Sequence, residues 1–327
     1  MKTFTSIVPK DMDAAAQIIR ENQAKGLKTS VAGGGSDLLG MIKERLVAPD
    51  VLIRLGRPQQ AEGINLQNGR VNISGLTTLD ALSRHDLIRK EYTVLAEAAE
   101  SVGTPQIRNA GTLAGNVCQR PWCWYFRNGF PCLKNGGDKC FSASGENQLH
   151  AIFGGGPSYI VHPSDTAPAL VALDAELHIT GPRRMIRAAD FFQLPRVDVA
   201  RENVLAADEL VTEIVLPRAR PGIRSTYYKV LDREAWTHAV VSIAVVLDMD
   251  KQVCRSARIV LGGVAPIPWR LPKVEAMLAG QRITPELAAK AGEGAVEGAG
   301  PLAKNKYKVP LTKNVVKRTL LSLAASA

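Results

Sequence analysis

The sequence has no run approaching the ~18 consecutive apolar residues that a membrane-spanning helix requires. Its opening stretch, MKTFTSIVPKDMDAAAQII, does not read as a secretory leader either. Pro9, Lys10, Asp11 and Asp13 break the apolar stretch, and no small-residue cleavage site follows. These absences lead us to expect a cytoplasmic protein that does not associate with membranes. Aromatic residues make up only 5% of the 327 positions, and Lys and Arg are scattered. The net charge of +10 therefore comes without the recognition signatures of a nucleic-acid binder, and no nucleic-acid partner is expected. The positive charge suits an acidic partner subunit or an anionic substrate or cofactor. Hydrophobic content of 46% and charged content of 22% are ordinary for a globular chain long enough for two domains.

Cysteine is scarce and unevenly spread. Cys118, Cys123, Cys132 and Cys140 crowd into NVCQRPWCWYFRNGFPCLKNGGDKC, and only Cys254 lies elsewhere. Clustered thiolates either pair as disulfides or hold a soft metal or iron–sulfur cluster. A reducing compartment favours the second. Spacings of 5, 9 and 8 residues are wider than the close CxxC knuckles of structural zinc sites, which favours a loop wrapped around a larger cluster. Zinc stays open as the chemical rival. Cys254 reads as an ordinary buried strand cysteine.

Strand and helix alternate at the start. Phe4 to Val8 predicts a strand, residues 11 to 25 a helix with Met12, Ala15, Ile18 and Ile19 on one face, and Gly26 a stop. Residues 27 to 46 read as strand, glycine turn and helix. Further strands are expected at Val51 to Leu55 and Val71 to Ser74, and helices at Leu79 to Leu82 and Tyr92 to Glu100. Residues 119 to 158 break the pattern, and so long a stretch without periodicity normally has a function. Regular structure should resume at Tyr159 to Val161, followed by a helix at Thr166 to Leu173 and strands at Glu176 to Thr180 and Glu213 to Leu216. PRARPGIR (Pro217 to Arg224) reads as a linker. Beyond it come strands at Tyr227 to Asp232, Ala239 to Asp250 and Ala257 to Ala265, then helices at Pro272 to Ala279, Pro285 to Gly292 and Leu311 to Leu323. The pattern is α+β: two N-terminal subdomains, then a smaller C-terminal domain.

Three segments carry candidate chemistry. AGGGSDLL (Ala32 to Leu39) lies between a strand and a helix, where glycines allow a tight turn and backbone N–H groups can bind phosphate. It is neither a Walker loop nor a Rossmann fingerprint. IRNAGTLAGN (Ile107 to Asn116) is similar in kind. HPSDTAPAL (His162 to Leu170) puts Ser164 and Asp165 at a helix start, as caps or as a polar pair beside a ligand.

In this order, and with YYKVLDREAWTHAVVSIAVVL and IVLGGVAPIPWR following, these segments resemble the flavin-binding subunit of the molybdenum hydroxylases, the xanthine oxidase family, over essentially the whole chain. The resemblance implies an FAD-binding domain of vanillyl-alcohol-oxidase type (PCMH-like) over residues 1–220. Residues 224–327 would form a C-terminal α+β domain of CO-dehydrogenase-flavoprotein type. That family's glycine loops cradle the FAD pyrophosphate. The first would comprise Ala32, Gly33, Gly34, Gly35, Ser36, Asp37, Leu38 and Leu39; Thr112, Gly115 and Asn116 belong to the second. Asp165 would meet the adenosine ribose or neighbouring polar groups, and Lys229 would lie near the flavin ring.

The insertion at 119–158 resembles those of the 4-hydroxybenzoyl-CoA reductase β-subunit and a periplasmic aldehyde oxidoreductase, through QRPWCWYFR, FPC and GDKC. There the loop binds a [4Fe–4S] cluster, which implies Cys123, Cys132 and Cys140 as ligands. The fourth ligand of those relatives is a Cys just before the HPSD-like motif, where Ser158 stands here. Ser158, Cys118 or no protein ligand at one iron are the alternatives. Trp122, Trp124, Tyr125 and Phe126 would shield the cluster.

The implied function is an electron-transfer subunit carrying FAD and a [4Fe–4S] cluster. Its partners would be a large molybdenum-cofactor subunit, a small [2Fe–2S] subunit and an external electron carrier, in a heterotrimer or a dimer of heterotrimers. No residue reads as a catalytic acid, base or nucleophile. The alternatives are a stand-alone FAD-dependent oxidoreductase of the same fold and a zinc-stabilised binding protein. An absorption spectrum separates the three.

Overall fold

The computed structural model describes residues 2–56, 63–181, 184–233 and 237–325. Residues 234–236, inside the fourth matching segment, lie outside the described ones.

The N-terminal subdomain is built on a small parallel sheet in the order Thr5–Ile7, Val51–Arg54, Thr29–Ala32. Asp11 caps helix Met12–Ala24 by accepting the Ala14 N–H at 2.7 Å. Ala15 and Ile19 pack on Val51 and Ile53 of the sheet.

The second subdomain holds a five-stranded antiparallel sheet in the order Ile64–Gln67, Arg70–Ser74, Val211–Leu216, Glu176–Ile179, Arg184–Arg187. Val71, Ile73, Leu177 and Ile214 join Leu82, Leu95 and Leu170 from helices Leu79–Arg84, Thr93–Glu100 and Thr166–Ala172 in the largest core. Each such leucine or isoleucine contributes roughly 2 kcal/mol of burial free energy.

The C-terminal domain is an antiparallel sheet in the order Trp269–Arg270, Val253–Gly262, Val241–Asp250, Ile223–Val230, with Gln281–Arg282 paired to Val253–Gly262. The continuous apolar run VSIAVVL follows from burial on both faces. Ile243, Val245 and Leu247 join the core that includes helices Pro272–Leu278, Pro285–Gly294 and Lys308–Ala325, whereas Ala244 and Val246 join the core of the second subdomain. The two domains therefore share apolar surface directly, and the supposed linker gives way to the edge strand at Ile223.

The regular structure expected to resume at Tyr159 to Val161 does not form there. Its polar groups are used singly: the Tyr159 carbonyl accepts from Ala151 N–H, and just beyond it the His162 N–H donates to Ala265. Residues 119–158 contain only short helical turns, Trp124–Arg127, Leu133–Asn135 and Phe141–Ala143.

Candidate functional site

The two glycine segments touch. A Cβ on Gly34 would lie 1.7 Å from the Ala110 carbonyl oxygen, and one on Gly33 2.7 Å from the Thr112 hydroxyl. Gly35 adopts φ +74°, a left-handed conformation that favours glycine. Thr112 caps helix Leu113–Val117 through the Gly115 N–H at 3.1 Å. Between the segments lies a cleft of about 170 Å³, lined by residues 31 to 38 together with Thr112, Gly115, Asn116 and Cys118. Gly33, Gly34 and Gly35 leave one wall of this cleft without side chains, where a pyrophosphate can approach the main chain, so these residues fit FAD. Leu39 stands outside the cleft, 47% exposed. Asp37 forms a 2.9 Å ion pair with Arg127, whose guanidinium packs over the Trp122 ring and donates to the Arg120 and Pro121 carbonyls. The first glycine segment is thereby tied to the cysteine-bearing insertion.

Asn116 is committed to a buried tether. Its side-chain oxygen accepts from the Ser164 hydroxyl at 2.6 Å and the Thr166 hydroxyl at 2.7 Å. Ser164 also accepts the Ala167 N–H at 3.0 Å, so it is Ser164 and not Asp165 that caps helix Thr166–Ala172. The Asp165 carboxylate instead meets the Tyr227 hydroxyl and the Lys229 ammonium, each at 2.7 Å. Lys229 donates further to the Ser101 carbonyl at 3.1 Å. Burial, reinforced by the Asp165 charge, pushes the Tyr227 phenol well above its ordinary range, so it donates as a neutral hydroxyl. His162 is buried; its Nδ1 accepts from Ser164 N–H, and burial pushes its pKa down to about 3.

Asp165 lines a second and larger cavity of about 410 Å³. Its other walls are mainly Trp122, Trp124, Leu149, His150, His162 and His238. His238 packs on Trp122 with ring centroids 4.9 Å apart. An apolar, aromatic chamber of this size with a few polar groups suits a planar ligand.

Cys123, Cys132 and Cys140 converge with Ser158 on a third, small cavity. Cys118 does not join them, because it faces the glycine cleft. All five cysteines are free, and Cys254 is buried in the C-terminal core. Burial pushes the Cys123 thiol up to about 11, so a thiolate there needs a cation beside it. Three thiols around one void match the donor chemistry of a soft-metal site, and the Ser158 hydroxyl adds a harder oxygen donor. The free space is only about 10 Å³, roughly one water, so the side chains would move outward to admit a cluster. Among the described residues, no three of His, Cys, Asp and Glu already stand in a metal-holding arrangement. Tyr125 and Phe126 are buried and wall this cavity, but Trp122 and Trp124 are 43% and 57% exposed. The expected aromatic shield is therefore half present. Sequence reasoning missed His150 altogether: its Nε2 lies 3.3 Å from the Cys123 sulfur, and no local motif announces it.

Residues 2–219 match the family model of the FAD binding domain in molybdopterin dehydrogenase, and residues 226–323 that of the CO dehydrogenase flavoprotein C-terminal domain. The chain is 33% identical to the aldehyde oxidoreductase FAD-binding subunit PaoB of Escherichia coli (strain K12), over 100% of this chain and 99% of the relative. It is 28% identical to the nicotinate dehydrogenase FAD-subunit of Eubacterium barkeri, over 88% and 83% of the two chains. Among solved structures, a chain of a Cu,Mo-CO dehydrogenase superposes with a TM-score of 0.78 at 24% identity, covering 100% of both chains. At that identity the likeness concerns the fold alone.

Proposed function

Because the chain belongs to the FAD-binding medium subunits of the molybdenum hydroxylase and CO dehydrogenase family, we propose how its own residues hold the cofactors. It is the FAD subunit of a molybdenum-dependent oxidoreductase. Ala32 to Leu38, Thr112 and Gly115 hold the FAD pyrophosphate, and the aromatic cavity holds the flavin ring. The observation that carries this reading is the adjacency of the two spaces: the Asn116–Ser164 hydrogen bond ties the wall of the glycine cleft to the wall of the aromatic cavity. Bound FAD supplies the redox chemistry that links a two-electron donor to one-electron carriers. The protein's part is to bind, orient and exclude water. Asp165, held by Tyr227 and Lys229, offers fixed negative charge at the ring rather than at the ribose. Lys229 pairs with that carboxylate at 2.7 Å while remaining close to the ring.

The insertion carries a [4Fe–4S] cluster, with Cys123, Cys132 and Cys140 as ligands and Ser158 at the fourth position. Support comes from the convergence of these four side chains on one cavity and from Cys118 facing the glycine cleft. Held there, a cluster would supply one-electron chemistry beside FAD, in a complex with a large molybdenum-cofactor subunit, a small [2Fe–2S] subunit and an external carrier. Residues 1–220 and 224–327 are its two domains. No helix among the described residues is long and apolar enough to cross a membrane, and a reducing cytoplasm suits the cysteine set.

Anaerobic purification followed by absorption spectroscopy and metal analysis tests this function. Flavin bands with a broad shoulder, and about four iron and four sulfide per chain, are expected. Stoichiometric zinc without acid-labile sulfide would remove the cluster from this reading. A colourless protein would remove the FAD as well.

A further inference from the structure

Leu149 and Gly263 both line the aromatic cavity, and they come from different parts of the chain. Leu149 stands in the returning end of the insertion and is 49% exposed. Gly263 directly follows strand Val253–Gly262 and is tightly held. Its φ is +72°, and a Cβ there would lie 2.6 Å from the carbonyl oxygen of Ala239, another residue of the cavity wall. Next to this point the two segments are joined by backbone bonds: the Ile152 and Phe153 N–H groups donate to the Val264 carbonyl at 2.8 and 3.1 Å. Leu149 and Gly263 instead direct one carbonyl each toward the same point. Two carbonyls cannot bond to each other, since both only accept. The donor they lack comes from Lys308, the first residue of helix Lys308–Ala325. Its Nζ lies 2.9 Å from the Leu149 oxygen and 2.7 Å from the Gly263 oxygen. Lys308 is 0% exposed, and lysine is almost never fully buried without a partner. Both partners are carbonyls, and burial pushes Lys308 down to about 7. A deprotonated amine still carries an N–H for each carbonyl, so the staple does not need the charge.

We propose that Lys308 is a positioning residue that holds two walls of the aromatic cavity together and so seats the ring bound there. It acts through the backbone of Leu149 and Gly263 rather than from the cavity wall itself. Without its N–H groups, two carbonyls would face one another with no donor between them, an arrangement that buried acceptors do not tolerate cheaply. The Leu149 side would give way, because Gly263 is packed against Ala239 at the end of a strand. That movement widens the cavity and admits water to its aromatic lining. This inference rests on the reading that the flavin ring occupies the aromatic cavity.

The test uses the full chain, purified anaerobically, and compares wild-type protein with Lys308→Met, Lys308→Gln, Asn305→Ala and Trp124→Leu. FAD content, the visible spectrum and fluorescence of the bound flavin, and the rate of FAD release on dilution are measured. Lys308→Met keeps the side chain's reach and loses its donors. It should show an altered flavin spectrum and release FAD several-fold faster than wild type. Complete loss of FAD from folded Lys308→Met is the same effect carried further. Asn305→Ala frees the neighbouring His150 and Ala151 carbonyls without touching Gly263, and should keep the wild-type spectrum and release rate. Wild-type behaviour in Lys308→Met overturns the proposal. So does an equal change in Asn305→Ala, which would reduce the effect to a general loosening of the insertion. If Lys308→Met does not fold, Lys308→Gln decides, since its shorter amide keeps donors for one carbonyl: faster release with an altered spectrum supports the staple, and wild-type values overturn it. The underlying reading is checked apart from Lys308. Trp124 lines the same cavity and is 57% exposed, so Trp124→Leu should change the flavin spectrum at little cost in folding. Flavin-free wild-type protein, or an unchanged spectrum in Trp124→Leu, removes the ring from the cavity and the role of Lys308 with it.

Discussion

Gly34 has room for a hydrogen and nothing larger, since any Cβ would collide with the Ala110 carbonyl. Gly34→Val should force the two glycine segments apart and abolish FAD binding, read as loss of flavin absorbance. Gly40, where a Cβ meets nothing within 4 Å, supplies the control, and Gly40→Ala should keep the flavin. A full flavin spectrum in Gly34→Val would mean that the phosphate lies elsewhere. At the cluster, Ser158→Cys should keep the iron and slow its loss to a chelator, because thiolate suits iron better than hydroxyl. Cys118→Ser should leave iron content unchanged. The opposite pattern, iron abolished by Cys118→Ser but kept in Ser158→Ala, would reassign the fourth ligand. His162 sets an acid limit. Its folded pKa of about 3 lies below the ordinary 6.5, so between those values the unfolded chain holds a proton that the folded chain refuses. The stability is complete above pH 6.5 and falls by roughly 1 kcal/mol per pH unit as pH drops through this window. His162→Gln should flatten that limb in a plot of melting temperature against pH. Identical slopes for variant and wild type would show that His162 is not responsible.

Among the elements, segment 304–308 acts on the returning end of the insertion in unusual detail. Lys304 pairs with Glu146 and its N–H reaches the Asn147 side chain at 2.9 Å, while Asn305, Tyr307 and Lys308 bind the carbonyls of residues 148 to 151. Asn305→Ala leaves two buried carbonyls unpaired, at a cost of about 1–3 kcal/mol. It should speed iron release to a chelator without changing FAD content; an unchanged release rate would separate this segment from the cluster loop. Nothing in the sequence announces such a clamp, because its bonds go to backbone carbonyls that no side-chain pattern marks. Helix Met12–Ala24 was legible for the opposite reason: cap, periodic face and glycine stop all lie within it or beside it. Helices Pro105–Ala110 and Leu113–Val117 were hidden behind Gly111 and Gly115, which read as loop. Strand Ile64–Gln67 was hidden too, being an edge strand with mostly exposed residues and no buried alternation. Each glycine segment was a weak signal alone and became a candidate site only through its order with the other matching segments. The roles of Asp165 and His150 were not, since each is defined by partners at least 27 residues away.

For the whole molecule, the insertion is an addition to a framework whose three sheets and main cores are built largely from residues outside it. Cys132→Ala should therefore lose the iron yet bind about one FAD per chain, as measured by metal analysis and flavin release. Loss of both together would show that the flavin site needs the cluster for its shape. The ion pair between Asp37 and Arg127 and the packing of Met41 against Phe126 and Cys132 are direct links by which such dependence would act. The clamp on residues 146 to 151 also fixes an order of events in time. Lys304 follows its partner Asn147 by 157 residues, so a ribosome delivers the cysteines long before the segment that closes their loop. Both glycine segments, by contrast, have emerged before the first loop cysteine that lines the cluster cavity. Domains emerge and fold from the N-terminus onward. The nascent chain thus leaves the thiol loop unclamped until segment 304–308 is made, and under the proposed function iron delivery follows the synthesis of that segment.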